Sequence, residues 1–331
     1  GSGKTTLCGA LRPADAPGIT TCALPKKEVR LRENATGEEA VIGKYDESLP
    51  GSENRMRLCR EGLEGLGVQA LERCADAAAE WAVLDEIGYL ECGCEAYREA
   101  LLRLMERKRL LAAVRKQELP FLLRLCSDRE VFCVDLDAPY GRAGCVIMAS
   151  GMGRRFGGNK LLADFHGEPL FLRALAATEG IFARRVVVTR HADVAEICRA
   201  RGVEAVLHDR PLRSDTVRIG LEAVGDVDGC LFCPADQPLL RRESVAALAI
   251  AAANAPQQIF RACFADEPGS PVLFPKWAFA ELNALPEGKG GGHVMKKHPE
   301  SVRMVPVRDA HELMDADDLD ALEMLRAIKQ K

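Results

Sequence analysis

Apolar and polar residues follow each other along this chain in two patterns, short apolar runs that predict strands and longer runs with helical spacing. In the first part of the chain the patterns predict helices over 63–80 and 95–108 and strands over 81–84, 110–114 and 131–134. In the second part they predict strands over 145–149, 185–189, 203–207, 229–233 and 259–264, and helices over 161–179, 193–201, 216–224, 242–253 and 317–329. Because strands alternate with helices, each part is predicted to be an α/β domain, a parallel sheet wrapped by helices with ligands at the carboxyl ends of the strands.

The two parts are separated near residue 140. The segment 135–144 combines proline, glycine and acidic residues, which is typical of a domain junction. We therefore expect one domain over 1–138 and a second over 143–331. A length of 331 residues fits two domains better than one.

Composition narrows the class of protein. Hydrophobic residues make up 47% and charged residues 28%, with a formal net charge of −4, so disorder and a nucleic-acid-binding arm are both disfavoured. No apolar run has the length of a membrane span, so we expect no membrane partner. Thirteen cysteines without a disulfide-framework spacing predict reduced thiols and a cytoplasmic location.

The first residues, GSGKTT, correspond to the later part of a phosphate-binding loop. The first glycine of that motif and the strand that feeds it are missing, so we expect the domain to be truncated before residue 1. Gly3, Lys4 and Thr5 are predicted to bind a nucleotide, with Thr5 as a Mg²⁺ ligand. An apolar run ends in Asp85 and Glu86. This pattern predicts that the Asp85 carboxylate is a second Mg²⁺ ligand and that Glu86 orients the attacking water.

The segment DEIGYLE at 85–91, together with the phosphate loop, resembles a family of small P-loop nucleoside-triphosphatases. Segments 18–21 and 28–30 are similar to the region that follows the loop in that family. The resemblance covers most of 1–134 and implies slow hydrolysis of ATP or GTP. Since the family usually has Met-Glu-Leu after DEIG and this chain has Tyr-Leu-Glu, a nucleotide-binding module without turnover is the alternative.

A glycine-rich loop, ASGMGRRFGGNK over 149–160, directly follows the strand predicted at 145–149. Its glycines allow the backbone to approach a triphosphate closely. Two cations of the loop would lie beside the α-phosphate, where negative charge grows during nucleotidyl transfer, so Arg155 and Lys160 are the predicted catalytic residues. The predicted nucleotide-binding residues of the loop are Ala149, Ser150, Gly151, Gly153, Arg155 and Lys160. A dinucleotide-binding loop fits less well, because Arg-Arg-Phe follows Gly153.

This loop resembles the G-x-G-x-R-x-G-x-x-K signature of nucleotidyltransferases with a Rossmann-like, sugar-nucleotide-transferase-like fold, and most closely the MobA-like molybdenum cofactor cytidylyltransferases. Ser150 is a departure, since the family usually has alanine before the first glycine. Further segments similar to that family follow in the same order at 213–221, 234–239, 269–274, 288–292 and 315–318.

The resemblance implies the rest of the site. The implied nucleotide-binding residues are Arg213, Asp215, Thr216, Ala235 and Asp236, and the implied Mg²⁺ ligands are Asp236 and Asp317. Three structural alternatives stay open at this point: Asp236 as the cap of the following turn, Asp317 as the N-cap of the last helix, and Thr216 as a first-turn helix residue.

The resemblance also implies a reaction. CMP would pass from CTP to the terminal phosphate of molybdopterin, with release of pyrophosphate and dependence on Mg²⁺. A molybdenum hydroxylase apo-enzyme is the implied protein partner. The alternatives are transfer of GMP or another nucleotide to a different phosphate acceptor, and a nucleotide-binding chaperone for molybdoenzyme maturation.

Overall fold

The computed structural model describes residues 4–24, 27–49, 55–128, 131–153, 156 and 158–328. The chain divides into two compact units, Gly1–Leu136 (unit 1) and Asp137–Lys331 (unit 2). Each unit has its own sheet, and the two are described separately.

Unit 1 contains a mixed sheet with the strand order β4-β3-β2-β1-β5-β6. Its strands are β1 Gly18–Leu24, β2 Glu28–Glu33, β3 Glu39–Tyr45, β4 Met56–Leu58, β5 Trp81–Ile87 and β6 Arg109–Val114. β1, β5 and β6 run parallel, but β1 to β4 form an antiparallel meander. The expectation of a wholly parallel sheet is therefore wrong for this half, because the short connections from β1 to β3 leave no room for crossover helices.

Helices cover the sheet of unit 1. They are α1 Lys4–Leu11, α2 Arg60–Gly62, a π-helical segment Leu63–Gly67, α3 Val68–Asp76, α4 Tyr89–Cys92, α5 Glu95–Arg107 and α6 Pro120–Ser127. The helices predicted from 63 and from 95 are confirmed, although the first ends at Asp76. The strand predicted over 131–134 is wrong: these residues have no regular structure, and Phe132 is 64% exposed.

Unit 2 is built on a sheet with the order β11-β10-β7-β12-β14-β13-β15. Its strands are β7 Ala143–Ala149, β10 Arg184–Thr189, β11 Glu204–Leu207, β12 Gly229–Pro234, β13 Ile259–Phe264, β14 Glu267–Pro275 and β15 Val302–Pro306, and a separate hairpin contains β8 Asp164–Phe165 and β9 Glu168–Pro169. The five predicted strands of this half are confirmed. β12 and β13 each run antiparallel to β14, so this sheet is mixed as well.

The helices of unit 2 are α7 Leu172–Ala177, α8 Ala192–Ala200, α9 Arg213–Val224, α10 Arg242–Asn254, α11 Phe279–Asn283, α12 Gly292–Lys297 and α13 Leu319–Ala327. The single helix predicted over 161–179 is wrong. A 3₁₀ turn, the β8–β9 hairpin and α7 take its place, because His166 (φ 57°) and Gly167 (φ 89°) have left-handed backbone angles that end a helix. Within the described ranges no helix is both long and apolar enough to cross a membrane.

The central strand β7 determines where a ligand can bind. β7 pairs in parallel with β10 on one side and with β12 on the other, so the direction of the strand order reverses at β7. At such a switch point the connections leave in opposite directions and open a crevice at the carboxyl ends of the strands. The glycine-rich loop begins in this crevice.

Side chains alternate between the two faces of this sheet. Cys230 belongs to the core cluster on one face and Cys233 to the cluster on the other, so both thiols pack in the core on opposite sides of the sheet. α9 approaches β7 closely at Gly220, where a Cβ atom would lie 2.5 Å from a Val146 methyl carbon. This close packing fixes the N-terminus of α9 near the crevice.

Candidate active site

The glycine-rich loop folds back on itself after β7. Gly153 has φ 54°, and a Cβ atom there would lie 2.6 Å from the carbonyl oxygen of Gly158, so only glycine fits. The Phe156 amide donates to the Gly153 carbonyl at 2.8 Å. Ala149 is fully buried at the end of β7, while Gly151 is exposed. Arg155 lies outside the described residues.

Lys160 is enclosed by carboxylates. Its side chain is 8% exposed, and its Nζ lies 2.6 Å from Asp236 Oδ2 and 2.9 Å from Asp317 Oδ1. Burial opposes the charge of the ammonium, but the two carboxylates outweigh burial and raise the pKa of Lys160. The structure thus brings together three residues that are far apart in sequence and keeps a full positive charge at their centre.

Asp315 is a third carboxylate in this cluster, and the sequence analysis gave it no role. One oxygen from each of Asp236, Asp315 and Asp317 lies within 4.8 Å of the others. Burial, and then the charge of Asp236, raises the pKa of Asp315, while the Gln237 side-chain amide donates to its Oδ1 at 3.0 Å. Asp315 and Asp317 are two positions apart, and the Asp317 amide donates to the Asp315 carbonyl oxygen at 3.0 Å across a tight turn. The Asp-x-Asp spacing was the signal for Asp315.

The donor set of this cluster fits a hard divalent cation. Mg²⁺ binds oxygen ligands at about 2.0–2.1 Å, so the oxygens around it lie within roughly 4 Å of each other. Asp236, Asp315 and Asp317 could hold such an ion, and Lys160 already provides positive charge at the same place.

Hydrogen bonds position the segment that contains two of these carboxylates. The Ala316 amide donates to the Asp236 carbonyl at 2.8 Å, which joins the segment to the loop after β12. Glu312, 1% exposed, accepts from the Ser244 hydroxyl at 2.5 Å and from the Asp309 amide at 3.3 Å. The cluster is therefore anchored to both β12 and α10.

The last helix starts later than the sequence predicted. α13 begins at Leu319, and the carboxylate of Asp318 caps it by accepting from the Ala321 amide at 2.9 Å. The alternative that Asp317 is the N-cap is therefore wrong, and its side chain is available for Lys160.

The first turn of α9 contains three predicted nucleotide-binding residues. The Asp215 carboxylate accepts from the Leu212 amide at 3.3 Å and from Arg218 Nη1 at 2.9 Å, and Thr216 is 3% exposed. Arg213 is exposed at the start of the helix. The structure thus uses Thr216 within the helix, as the first-turn alternative describes, and Asp215 bonds to the same turn. Nucleotide contacts of these residues remain predictions.

Ala235 separates β12 from the carboxylate cluster. It is 1% exposed and its amide lies 3.3 Å from the carbonyl oxygen of Met148 in β7. Its position directly before Asp236 fixes the direction of that side chain.

Two histidines connect the glycine-rich loop to neighbouring strands. His208 Nε2 lies 2.8 Å from the Ser150 hydroxyl, which also lies 3.1 Å from the Val188 carbonyl oxygen. His191 Nε2 lies 2.9 Å from the Gly151 carbonyl oxygen. Neither contact could be predicted from the sequence, because the residues involved are far apart in the chain and have no characteristic spacing.

In unit 1 the predicted phosphate-binding residues are at the start of α1. Lys4 is its first residue, while Gly3 and the side chain of Thr5 lie outside the described part. Asp85 lies in β5 where the pairing register with β6 shifts by one residue, and its Oδ1 is buried without a hydrogen-bond partner in the described chain. Burial, and then the charge of Asp85, raises the pKa of Cys8 in α1, so helix and carboxylate are close.

Glu86 and Glu91 both have partners within unit 1. Glu86 forms an ion pair with Arg115, and its role of orienting the attacking water stays a prediction. Glu91 is 3% exposed, and its carboxylate accepts from the Gly88 amide at 2.8 Å. Burial raises the pKa of Glu91 to about 6.

Comparison with known families identifies both units. Residues 145–302 match the family described as "MobA-like NTP transferase domain", and residues 1–138 match the family described as "NTPase". Unit 2 therefore contains a MobA-like NTP transferase domain and unit 1 contains an NTPase domain, and this chain joins the two. The predicted resemblance and fold class are confirmed at this level.

Three relatives show the extent of the similarity. The 3-deoxy-manno-octulosonate cytidylyltransferase of Neisseria meningitidis is 43% identical over 61 residues, which is 18% of this chain and 24% of that protein. Nucleoside-triphosphatase THEP1 of Thermotoga maritima is 27% identical over 143 residues, covering 41% of this chain and 82% of that protein. The crystal structure of Rv0371c from Mycobacterium tuberculosis has a TM-score of 0.50 at 23% identity and covers 57% of this chain and 100% of that one, a likeness in fold.

Proposed function

We propose that unit 2 transfers CMP from CTP to the terminal phosphate of molybdopterin and releases pyrophosphate, with Mg²⁺ as cofactor. The observation that carries this proposal is the cluster of Lys160 with three carboxylates beside the glycine-rich loop. The family match and the cytidylyltransferase relative support the reaction class and the base. Delivery of the product to a molybdenum hydroxylase apo-enzyme is part of the same proposal.

The chemistry needs positioning and charge neutralisation more than it needs a general base. The acceptor phosphate is already an anionic nucleophile, and it attacks the α-phosphorus in line with the departing pyrophosphate. Lys160 stabilises the charge that grows on the α-phosphoryl oxygens, and Arg155 would act beside it. Asp236, Asp315 and Asp317 would hold Mg²⁺, which neutralises phosphate charge when bound.

A second acceptor has an observation in its favour. The Neisseria relative is named for 3-deoxy-manno-octulosonate, and this chain spans only about a quarter of that enzyme's length. Transfer of CMP to this sugar acid is therefore the second candidate function.

The test is pyrophosphate release with each of the four NTPs and Mg²⁺, with molybdopterin, with 3-deoxy-manno-octulosonate, and without acceptor. Release that needs both CTP and molybdopterin is expected. Release with GTP would keep the reaction class and overturn the base, and release with the sugar acid would overturn the acceptor. Binding of nucleotide with no pyrophosphate from any combination would favour a nucleotide-binding chaperone.

For unit 1 we propose binding of an NTP with Mg²⁺ by Gly3, Lys4, Thr5 and Asp85, followed by slow hydrolysis. The NTPase family match and the THEP1 relative support this proposal. The buried, unpartnered Asp85 oxygen near α1 supports it further, because a metal-bound water would satisfy that atom. Release of phosphate without pyrophosphate, from ATP or GTP, is the measurement that checks it.

A further inference from the structure

A groove opens at the carboxyl ends of β10 and β11, beside the glycine-rich loop. It is lined by Arg190, Ala192, Leu207, His208 and Asp209. The two histidine contacts to Ser150 and Gly151 place the groove directly next to the loop proposed to hold the triphosphate. A nucleotide with its phosphates in the loop can therefore reach the groove with its base.

Two polar atoms of the residues that line this groove have no hydrogen-bond partner among the described residues. Nε of Arg190 and Nδ1 of His208 are buried, and neither makes a hydrogen bond within the described chain. Leaving such an atom unsatisfied is costly, so buried polar atoms are nearly always paired. One unpaired donor and one unpaired acceptor in the same groove indicate a ligand that presents the complementary pair.

The hydrogen bonds of Ser150 fit one tautomer of the His208 ring. With the proton on Nε2, His208 donates to the Ser150 hydroxyl, which in turn donates to the Val188 carbonyl oxygen. Burial, and then the charge of Arg190, lowers the pKa of His208, which favours the neutral ring. Nδ1 is then an acceptor with a free lone pair.

We propose that His208 and Arg190 read the edge of the cytosine base: His208 Nδ1 accepts from the exocyclic amino group, and Arg190 Nε donates to the ring nitrogen beside it. This assignment rests on the proposed use of CTP. Leu207, 54% exposed and lining the same groove, offers an apolar surface to the ring. Uracil has a carbonyl oxygen in place of the amino group, so UTP would place an acceptor against Nδ1, an interaction that a site built on hydrogen bonds rejects.

Two substitutions of His208 separate its two nitrogens. His208→Gln keeps an amide donor for Ser150 and removes the acceptor at the Nδ1 position, whereas His208→Asn keeps an acceptor near Nδ1 and removes the donor to Ser150. Arg190→Met removes the groove donor. Arg210→Met removes a neighbouring exposed cation outside the groove lining and is the matched control.

The measurement is the ratio of dissociation constants for UTP and CTP, determined by calorimetry on the full chain with Mg²⁺ and without acceptor, in a Lys4→Ala background that removes the NTP site proposed for unit 1. We expect the protein with an intact groove to favour CTP by at least about tenfold, the scale of one hydrogen bond. His208→Gln and Arg190→Met should bring the ratio close to one, while His208→Asn and Arg210→Met keep it. The ratio is insensitive to the fraction of protein that is folded.

The outcomes distinguish this inference from the proposed function. If the protein prefers CTP and His208→Gln keeps the full preference, the base-reading role is wrong and the proposed function stands. If the protein with an intact groove binds UTP as tightly as CTP, the base-reading role is wrong. If the separate pyrophosphate assay shows release with GTP instead of CTP, the proposed use of CTP is wrong, and the cytosine assignment is overturned with it.

Discussion

The carboxylates of the two units have opposite surroundings. In unit 2, Asp236 and Asp317 contact the buried ammonium of Lys160 at 2.6 and 2.9 Å. In unit 1, an oxygen of Asp85 is buried with no hydrogen-bond partner in the described residues. Unit 2 therefore supplies its own cation to the acidic site, whereas unit 1 leaves a polar atom that a ligand would satisfy. Asp236, just after β12, therefore has a cationic partner in Lys160. One oxygen of Asp85, in β5, has no hydrogen-bond partner among the described residues.

This difference predicts which substitutions damage stability and which damage only activity. Removing one partner of a buried ion pair exposes the other to an apolar environment and costs several kcal/mol. Removing the charge of Asp85 costs less, because its buried Oδ1 has no hydrogen-bond partner among the described residues that would lose a bond.

The largest effect is expected for Lys160→Ala. It removes the positive charge beside the glycine-rich loop, and we expect pyrophosphate release to fall about 10³-fold, the scale of a lost transition-state donor. The matched control is Lys276→Ala, which removes an exposed lysine paired with Asp226 in the same unit. Pyrophosphate release by Lys160→Ala within a few-fold of the unsubstituted protein would show that this ammonium is only structural.

Asp236→Asn should lower pyrophosphate release about 10²-fold and raise the Mg²⁺ concentration needed for half-maximal rate. The physical reason is the loss of one of three carboxylates that could hold the ion. A titration with Mg²⁺ measures both quantities. Asp320→Asn, an exposed carboxylate in the first turn of α13, is the control and should leave both unchanged. Equal Mg²⁺ dependence of Asp236→Asn and the control would remove this residue from the metal site.

The sequence predicted the central strands of unit 2 and, among the clustered charged residues, Lys160, Asp236 and Asp317. It did not predict features that depend on tertiary contacts. The strand at 145–149 and the loop after it combine a strong apolar run with glycines, which local patterns express directly. The hairpin around His166 was missed because a helical apolar period can continue through residues whose backbone angles end the helix. Asp315 and the His208–Ser150 contact depend on segments far apart in the chain.

In unit 1 the meander was missed for a different reason. β2 alternates charged side chains with Val29 and Leu31, both buried, which is the period of a half-exposed strand. The resemblance of 28–30 to a known family concerns its place after the phosphate loop and does not specify a strand. The Glu86–Arg115 pair could not be predicted, since their contact depends on how β5 and β6 align.

Glu91→Gln should change how the stability of unit 1 depends on pH. Burial raises the pKa of Glu91 to about 6 from an ordinary value near 4.5, so the folded state holds this proton more tightly than the unfolded state. The contribution of the protonated Glu91 to the free energy of unfolding is complete below about pH 4.5 and is lost as the pH rises through about 6. The shift corresponds to roughly 2 kcal/mol. Glu91→Gln should therefore raise the free energy of unfolding at pH 7.5 by up to this amount and remove the slope between pH 4.5 and 6.

Urea unfolding followed by Trp81 fluorescence measures this effect in unit 1, with Trp277→Phe as the background, since the chain has two tryptophans. Glu95→Gln, an exposed glutamate at the start of α5, should leave the pH profile unchanged. A glutamine variant with the same slope as the parent would mean that another group titrates in this range.

The smallest effect is expected for Asp85→Asn, which tests whether the proposed nucleotide sites of units 1 and 2 work independently. Asp85→Asn keeps the shape of the side chain and removes its charge near α1, so we expect about tenfold slower release of phosphate from ATP or GTP. Pyrophosphate release by unit 2 should not change. Asp76→Asn, which removes an exposed carboxylate paired with Arg107, is the control. If Asp85→Asn instead slowed pyrophosphate release and left phosphate release intact, the uncompensated carboxylate would serve the transferase reaction, and the division of labour between the two acidic sites would be wrong.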